Sequence, residues 1–181
     1  MPKEYFLGAN TGGGFYSLYD NFLKDGDFLY ILKGGPGCGK STFMRRIGQA
    51  AEEAGYTVEY ILCSGDPSSL DGVYITDLGV AFADGTAPHV LEADFPAVQS
   101  NYVNLGVFYD QEALAPFRAE IETLIQACRE KYDEAYEALT EAKVLHDMLE
   151  AVYNPHVNFE GVNKLASQYI GKILGAKEKT S

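Results

Sequence analysis

The sequence is poor in cysteine, in basic residues and in long apolar runs. Its three cysteines, Cys38, Cys63 and Cys128, are far apart and show neither disulfide nor metal-ligand spacing, as is typical of proteins of the reducing cytosol. The apolar runs are too short to span a bilayer, and the N-terminus has no signal-peptide hydrophobic region. We therefore expect a cytoplasmic protein without disulfides.

Basic residues are outnumbered by acidic ones, 14 against 26, and the net charge is −12. Nucleic acids and anionic membranes need a basic surface, so we expect neither as a main partner. A nucleotide is compatible with this charge, because its site needs only a local positive potential. With 46% hydrophobic and 22% charged residues, the 181-residue chain is expected to fold around a core rather than to be disordered.

The strongest pattern in the sequence is a glycine-rich turn between an apolar strand and a helix. Residues 28–33 predict the strand, and apolar spacing predicts the helix over 40–54. Residues 34–41, GGPGCGKS, fill the phosphate-binding pattern G-x-x-x-x-G-K-[ST]. The order strand, glycine turn, helix is the context in which this pattern binds the phosphates of a nucleotide, and we expect ATP with Mg²⁺.

Each residue type in this turn suits a phosphate chain. Glycines let several backbone N–H groups point together at the phosphates, and the helix N-terminus adds its free N–H groups and positive dipole. Lys40 is predicted to neutralise the β- and γ-phosphates, Ser41 to bind Mg²⁺ and Thr42 to reach the α-phosphate. The predicted nucleotide-binding residues are Gly35, Pro36, Gly37, Cys38, Gly39, Lys40, Ser41 and Thr42.

A second apolar strand, predicted over 78–83, ends in Asp84. In phosphate-loop proteins an aspartate at such a point accepts a hydrogen bond from the loop serine or from Mg²⁺-bound water. We predict Asp84 as a metal-binding and catalytic residue, with Asp77 as the alternative for the metal role. Because residue 85 is glycine, the glutamate that many ATPases use there as a base is missing.

Two further candidate catalytic residues, Asp66 and His89, each leave two interpretations open. Asp66 follows a strand predicted over 56–63, at the strand end where open α/β sheets bind ligands. If that strand neighbours the phosphate-loop strand, Asp66 orients a water molecule, accepts a substrate proton or holds Mg²⁺ through water. Otherwise it forms a turn or caps a helix before Pro67. His89 either stabilises the γ-phosphate or is an ordinary hydrogen-bonded loop residue.

The remaining apolar periodicity predicts helices. Residues 15–24 have helical spacing and follow a glycine-rich loop at 8–14, which is either a second ligand cradle or, as we favour, a plain turn. Helical spacing recurs over 112–152 and 159–174, which predicts a long helix and a return arm. The apolar stripes of these helices are either a core between them or a surface for oligomerisation or a partner.

Four stretches together resemble a bacterial family of P-loop proteins labelled as ATPases or nucleotide kinases. They are FLGANT at 6–11, KGGPGCGKST at 33–42, CSGDPSSLDGV at 63–73 and DGTAPH at 84–89. The likeness covers residues 5–110 and implies ATP binding and hydrolysis. Members of that family often have two P-loop domains in one chain, so the resemblance implies a second P-loop domain or another copy of the chain as partner.

These observations predict an α/β fold, with residues 1–110 forming a three-layer P-loop NTPase core around a mostly parallel sheet of four or five strands. Residues 111–175 are predicted to form a helical arm, and 176–181 a polar tail. The predicted function is Mg²⁺-dependent ATP binding with hydrolysis coupled to a conformational change or to assembly. One alternative is a small-molecule or nucleotide kinase with Asp66 as base, against which the count of four arginines speaks. The other is a nucleotide-binding module without turnover, because the glutamate after Asp84 is missing.

Overall fold

A computed structural model describes residues 2–19, 22–86, 91–93 and 96–175 of the chain. The chain divides into two compact units, residues 1–139 and residues 140–181. All strands of the described residues lie in the first unit, whereas the described part of the second unit is helical.

The first unit has eight strands in its described part: β1 Lys3–Tyr5, β2 Gly8–Thr11, β3 Gly14–Ser17, β4 Phe28–Lys33, β5 Val58–Leu62, β6 Leu70–Ile75, β7 Val80–Asp84 and β8 Ser100–Asn104. Six of them form one sheet in the order β1-β5-β6-β7-β4-β8. The other two, β2 and β3, pair with each other as an antiparallel hairpin. The helix α1, Lys40–Glu53, follows β4.

The sheet is mixed but mostly parallel. Strand β6 runs antiparallel to both β5 and β7, while β1 is parallel to β5 and β4 is parallel to β7 and β8. The predicted α/β class is therefore confirmed, and the predicted count of four or five strands is wrong. Strand β6 escaped prediction because it contains Asp71 and Gly72, residues that are depleted in strands and typical of turns.

Helix α1 covers one face of the sheet. Its side chains Met44 and Ala51 are buried against Leu32 of β4 and Val73 of β6. Complete burial of a side chain the size of Met44, Leu32 or Val73 contributes about 1.5–3 kcal/mol, so this contact fixes the start of α1 above the end of β4.

The opposite face of the sheet is covered by Tyr19 and Phe22, which pack on Ile61, Tyr74 and Ala81. The rings of Tyr19 and Phe22 meet edge to face at 5.9 Å. The predicted helix over 15–24 is wrong, because residues up to Ser17 pair with β2 as strand β3. In the described residues this face is therefore covered by an aromatic segment rather than by the α-helix expected of the third layer.

Strand β4 lies between β7 and β8, so the glycine-rich turn that follows β4 lies next to the ends of both neighbouring strands. Leu32 of β4 is in register with Asp84 on one side and with Val103 on the other. Because the three strands are parallel, the segments that follow them meet at one edge of the sheet. Strand β8 is followed by a 3-10 turn over 105–108.

Among the described residues, three α-helices follow the sheet: α2 Gln111–Leu114, α3 Arg118–Tyr153 and α4 Phe159–Gly175. The predicted long helix is confirmed as α3, whose 36 residues span about 54 Å at 1.5 Å per residue. It ends at a 3-10 turn that begins with Asn154-Pro155. The predicted return arm is confirmed as a helix, α4. No helix in the described part of the chain is both long and apolar enough to cross a bilayer.

Candidate functional site

The turn between β4 and α1 leaves its backbone open to a ligand. Gly37 and Gly39 have φ angles of 73° and 88°, which favour glycine, and a Cβ on either residue would meet no atom within 4 Å. Gly39 precedes α1, whose N-terminus has no side-chain cap and no acidic residue in its first turn. The first N–H groups of α1 can therefore bind an anion from outside the chain.

The ammonium group of Lys40 lies inside this turn. Its Nζ donates to the carbonyl oxygens of Gly34 at 2.9 Å and Gly35 at 3.2 Å, and it is 3.5 Å from Oδ2 of Asp84. The side chains of Lys40 and Asp84 are only 11% and 17% exposed. The positive charge is thus held where the glycine turn, α1 and the end of β7 meet.

Asp84 has a different partner on each carboxylate oxygen. Oδ1 accepts hydrogen bonds from the N–H of Thr86 at 2.9 Å and from its hydroxyl, while Oδ2 faces Lys40. The two bonds from Thr86 fix the carboxylate at the last residue of β7. This agrees with the placement predicted from the apolar strand that ends in an aspartate.

A cavity of about 310 Å³ lies over the turn, a size within the usual range of small-molecule sites. It is lined by Gly37, Cys38, Gly39, Lys40, Ser41, Thr42, Ser69, Leu70 and Asp84. Six of the eight predicted nucleotide-binding residues line the cavity, and the other two, Gly35 and Pro36, are not in the lining. Sequence reasoning missed Ser69 and Leu70, because in this segment it considered only the carboxylate of Asp66 as a ligand-binding group.

Ser41 connects the turn to strand β6. Its Oγ accepts a hydrogen bond from the N–H of Leu70 at 2.9 Å. A hydroxyl oxygen has two lone pairs, so this bond leaves one lone pair and the hydroxyl hydrogen for a ligand in the cavity.

A second wall of the turn comes from the segment after β8. Tyr109 donates from its hydroxyl to the carbonyl oxygen of Pro36 at 2.7 Å. A Cβ on Gly35 would lie 3.1 Å from the same hydroxyl oxygen, so Gly35 gives Tyr109 the room to approach. Burial and the neighbouring Cys38 thiol raise the pKa of Tyr109 above its ordinary value. No local pattern predicts this contact, because 73 residues separate its two partners.

The structure places Asp66 outside the cavity lining. Strands β6 and β7 lie between β5 and β4, so the strand before Asp66 is not a neighbour of the phosphate-loop strand. The carboxylate of Asp66 accepts from the hydroxyl and the N–H of Ser68 at 2.7 and 3.1 Å, and these bonds lower its pKa, the hydroxyl contributing most. This is the geometry of the turn-forming interpretation. His89 lies outside the described residues.

The segment 63–70 touches both the phosphate turn and α3. Next to the Leu70–Ser41 bond, Arg45 of α1 donates to the carbonyl oxygen of Ser68 at 2.9 Å. At the other end of the segment, a Cβ on Gly65 would lie 3.1 Å from the hydroxyl oxygen of Tyr132 on α3.

The same end of this segment contacts the β2–β3 hairpin. Asn10 donates to the carbonyl oxygen of Ser64 at 3.4 Å and accepts from the hydroxyl of Tyr136, one turn after Tyr132, at 2.9 Å. The hairpin, the segment 63–70 and α3 are therefore joined through side-chain contacts on one side of the site.

The donor set suits Mg²⁺ better than a metal held by protein ligands alone. No group of three or more His, Cys, Asp or Glu side chains in the described residues is arranged to hold an ion. Ser41 and Asp84 both line the cavity, which offers one hydroxyl and one carboxylate. Mg²⁺ is commonly bound by one or two protein oxygens together with water and substrate phosphates, so these residues fit it when a nucleotide is present.

The chain was compared with protein-family models, with curated proteins and with solved structures, and no match was found. The likeness to P-loop ATPases therefore rests on the four motif stretches. The chemistry open to the site follows from the geometry of the turn, Lys40 and Asp84.

Proposed function

We propose that the chain binds ATP with Mg²⁺ on the turn 34–42 and hydrolyses it, and that the nucleotide state drives a conformational or assembly change. The observation that carries this proposal is the position of Lys40 and Asp84. Both lie at a glycine turn between a strand and an uncapped helix, and both line a cavity of about 310 Å³.

The residues of the turn have complementary tasks toward a triphosphate. The N–H groups of the turn and of the first turn of α1 bind phosphate oxygens, and Lys40 supplies a full positive charge. Ser41 and Asp84 hold Mg²⁺, which when bound neutralises phosphate charge. Lys40 donates to two carbonyl oxygens of its own turn, and an ammonium has three N–H donors, so the third can bond a phosphate oxygen when ATP binds.

Turnover is tested by measuring phosphate release from ATP in three variants, and binding by isothermal calorimetry of the same variants. Lys40→Ala should abolish ATP binding and turnover, since the charge that neutralises the phosphates is lost. Asp84→Asn should weaken the dependence on Mg²⁺. The matched control is Lys164→Ala on α4, which removes a lysine that has no part in the turn. Turnover at the wild-type rate in Lys40→Ala would overturn the assignment of the site.

Tyr109 is expected to support ATP binding by holding the carbonyl oxygen of Pro36. Tyr109→Phe removes one hydrogen bond, worth about 1 kcal/mol, and should weaken ATP binding roughly fivefold. Isothermal calorimetry measures this change. The control is Tyr102→Phe on β8, which also removes a tyrosine hydroxyl, but one that donates to Glu92 and not to the turn. Equal affinities of Tyr109→Phe and wild type would show that the bond does not order the turn.

Segment 63–70 supports the coupling part of the proposal. It contacts the Mg²⁺-binding candidate Ser41 at one end and Tyr132 of α3 at the other, so a change at the cavity reaches α3 through a single segment. The chain has no tryptophan, so Tyr132→Trp creates a single fluorescent reporter. We expect its emission to change on addition of Mg·ATP, whereas Tyr56→Trp before β5 should not respond. Binding seen by calorimetry with no change in the emission of the Tyr132→Trp variant would contradict the coupling.

A second candidate function, nucleotide binding without turnover, is favoured by one observation. Asp84 is the single carboxylate in the described lining of the cavity, and its oxygens are engaged by Lys40 and Thr86. That lining therefore offers no second carboxylate to act as a base. ATP binding with no phosphate release, even at high protein concentration, would favour this candidate over hydrolysis.

A further inference from the structure

The described part of the second unit, residues 140–175, has no buried side chain. Fourteen large apolar residues of this segment are at least 40% exposed, including Leu149 at 54% and Ile170 at 56%. Monomeric proteins rarely leave a continuous apolar patch of more than a few hundred Å² in water. These exposed apolar side chains therefore favour a covering partner.

The apolar residues follow a regular pattern on each helix. On α4 they recur at 159, 162, 165, 166, 169, 170 and 173, and on the last part of α3 at 142, 145, 149 and 152. Steps of three and four place each set on one stripe, as in the helices of four-helix bundles. We call these two stripes together the helical surface.

The area of the helical surface matches what a stable dimer needs. Nine large apolar side chains lie on the two stripes, and at about half exposure they offer roughly 100 Å² each, or roughly 900 Å² together. Stable protein interfaces bury about 800 Å² on each partner. Two copies of the helical surface are therefore large enough to cover one another.

Charge also favours a second copy over a charged partner. Residues 140–175 contain four acidic and three basic side chains, although the chain as a whole carries a net charge of −12. Two identical surfaces of this kind meet with little repulsion. The ion pair between Lys143 and Asp147, and the contact of His146 with Glu150, are made within α3 and require no partner.

We propose that the helical surface binds the same surface of a second copy, so that two helices from each chain form a four-helix interface around a twofold axis. The inference does not rest on ATP binding. The dimer is expected to form without nucleotide, because no residue of the phosphate turn belongs to the helical surface.

The test is sedimentation equilibrium of the full chain without nucleotide, from about 1 to 100 µM. The wild type should sediment with twice the mass of one chain. Leu149→Glu and Ile170→Glu each place a charge in the apolar stripe and should raise the dissociation constant at least tenfold. Gln168→Glu adds the same charge on the polar side of α4 and should leave the dimer intact.

Misfolding of the variants is tested independently. Neither Leu149 nor Ile170 is buried within one chain, so both variants should keep the wild-type far-UV circular dichroism and the wild-type response to Mg·ATP. A wild type that stays monomeric at about 100 µM overturns the proposal, and so does a dimer that survives both substitutions unchanged. A wild-type protein that dimerises but does not bind ATP would count against the proposed function alone.

Discussion

The ion pair of Lys40 and Asp84 predicts a specific coupling between the two residues in the stability of the ligand-free protein. Lys40→Ala removes an ammonium that bonds two carbonyl oxygens and faces Asp84 Oδ2 at 3.5 Å. Asp84→Asn removes the negative charge but leaves an amide oxygen that can still accept from Thr86. The double variant removes both charges and so leaves neither without its counterpart.

The expected magnitudes follow from the burial of the pair. Hydrogen bonds to charged groups contribute about 1.5–3 kcal/mol, and both side chains are less than one-fifth exposed. We expect Lys40→Ala to lower the free energy of unfolding by about 2 kcal/mol and Asp84→Asn by about 1 kcal/mol. The double variant should lose about 2 kcal/mol rather than 3, which is a coupling of about 1 kcal/mol.

Urea unfolding followed by far-UV circular dichroism measures all four proteins without added nucleotide. Equal slopes of the four transitions are required for the comparison, since a changed slope means a changed native or unfolded state. Additive losses, or a Lys40→Ala variant as stable as the wild type, would refute the reasoning. Either result would mean that Lys40 is not held by Asp84 and the turn in solution.

Two further predictions concern the packing of the sheet. A Cβ on Gly48 of α1 would lie 2.5 Å from the Tyr60 ring, so Gly48→Ala should lower the free energy of unfolding by at least about 1 kcal/mol. The control is Gly171→Ala on α4, where a Cβ would have no atom within 4 Å, and this variant should not be destabilised. A Gly48→Ala protein as stable as the wild type in urea would contradict this. Burial, followed by a hydrogen bond to Asp27, raises the pKa of Tyr74 to about 12, above its ordinary value of 10.0. The resulting stabilisation is complete below pH 10 and is lost as the pH rises to 12. Over this window the free energy of unfolding of the wild type should therefore fall by about 2 kcal/mol more than that of Tyr74→Phe. Free energies of unfolding that change in parallel with pH in the two proteins would contradict this.

Local patterns in the sequence were sufficient for the centre of the site. The strand β4, the glycine turn, the start of α1 and the position of Asp84 depend on short-range rules of backbone freedom and hydrophobic spacing. These elements are contiguous, and the turn can adopt its geometry without any distant residue. Helices α3 and α4 were equally predictable from the sequence, because the helical spacing of their apolar residues persists over many turns.

The errors arose where distant contacts outweigh local preference. Phe15 and its neighbours have helical spacing, yet strand pairing with 8–11 satisfies their backbone groups and turns Tyr19 and Phe22 onto the sheet. Strand β6 was missed because Asp71 and Gly72 favour turns locally, while pairing with β5 and β7 on both sides makes them part of the sheet. The contact of Tyr109 with Pro36 is likewise visible only once β8 is placed beside β4.

The central claim is that the turn 34–42 binds Mg·ATP, and isothermal calorimetry of the wild-type chain tests it most directly. We predict saturable heat with one site per chain, a dissociation constant of about 1–100 µM, weaker binding without Mg²⁺ and no heat with Lys40→Ala. No heat from the wild type at about 1 mM ATP, together with no rise in its melting temperature, would contradict the claim.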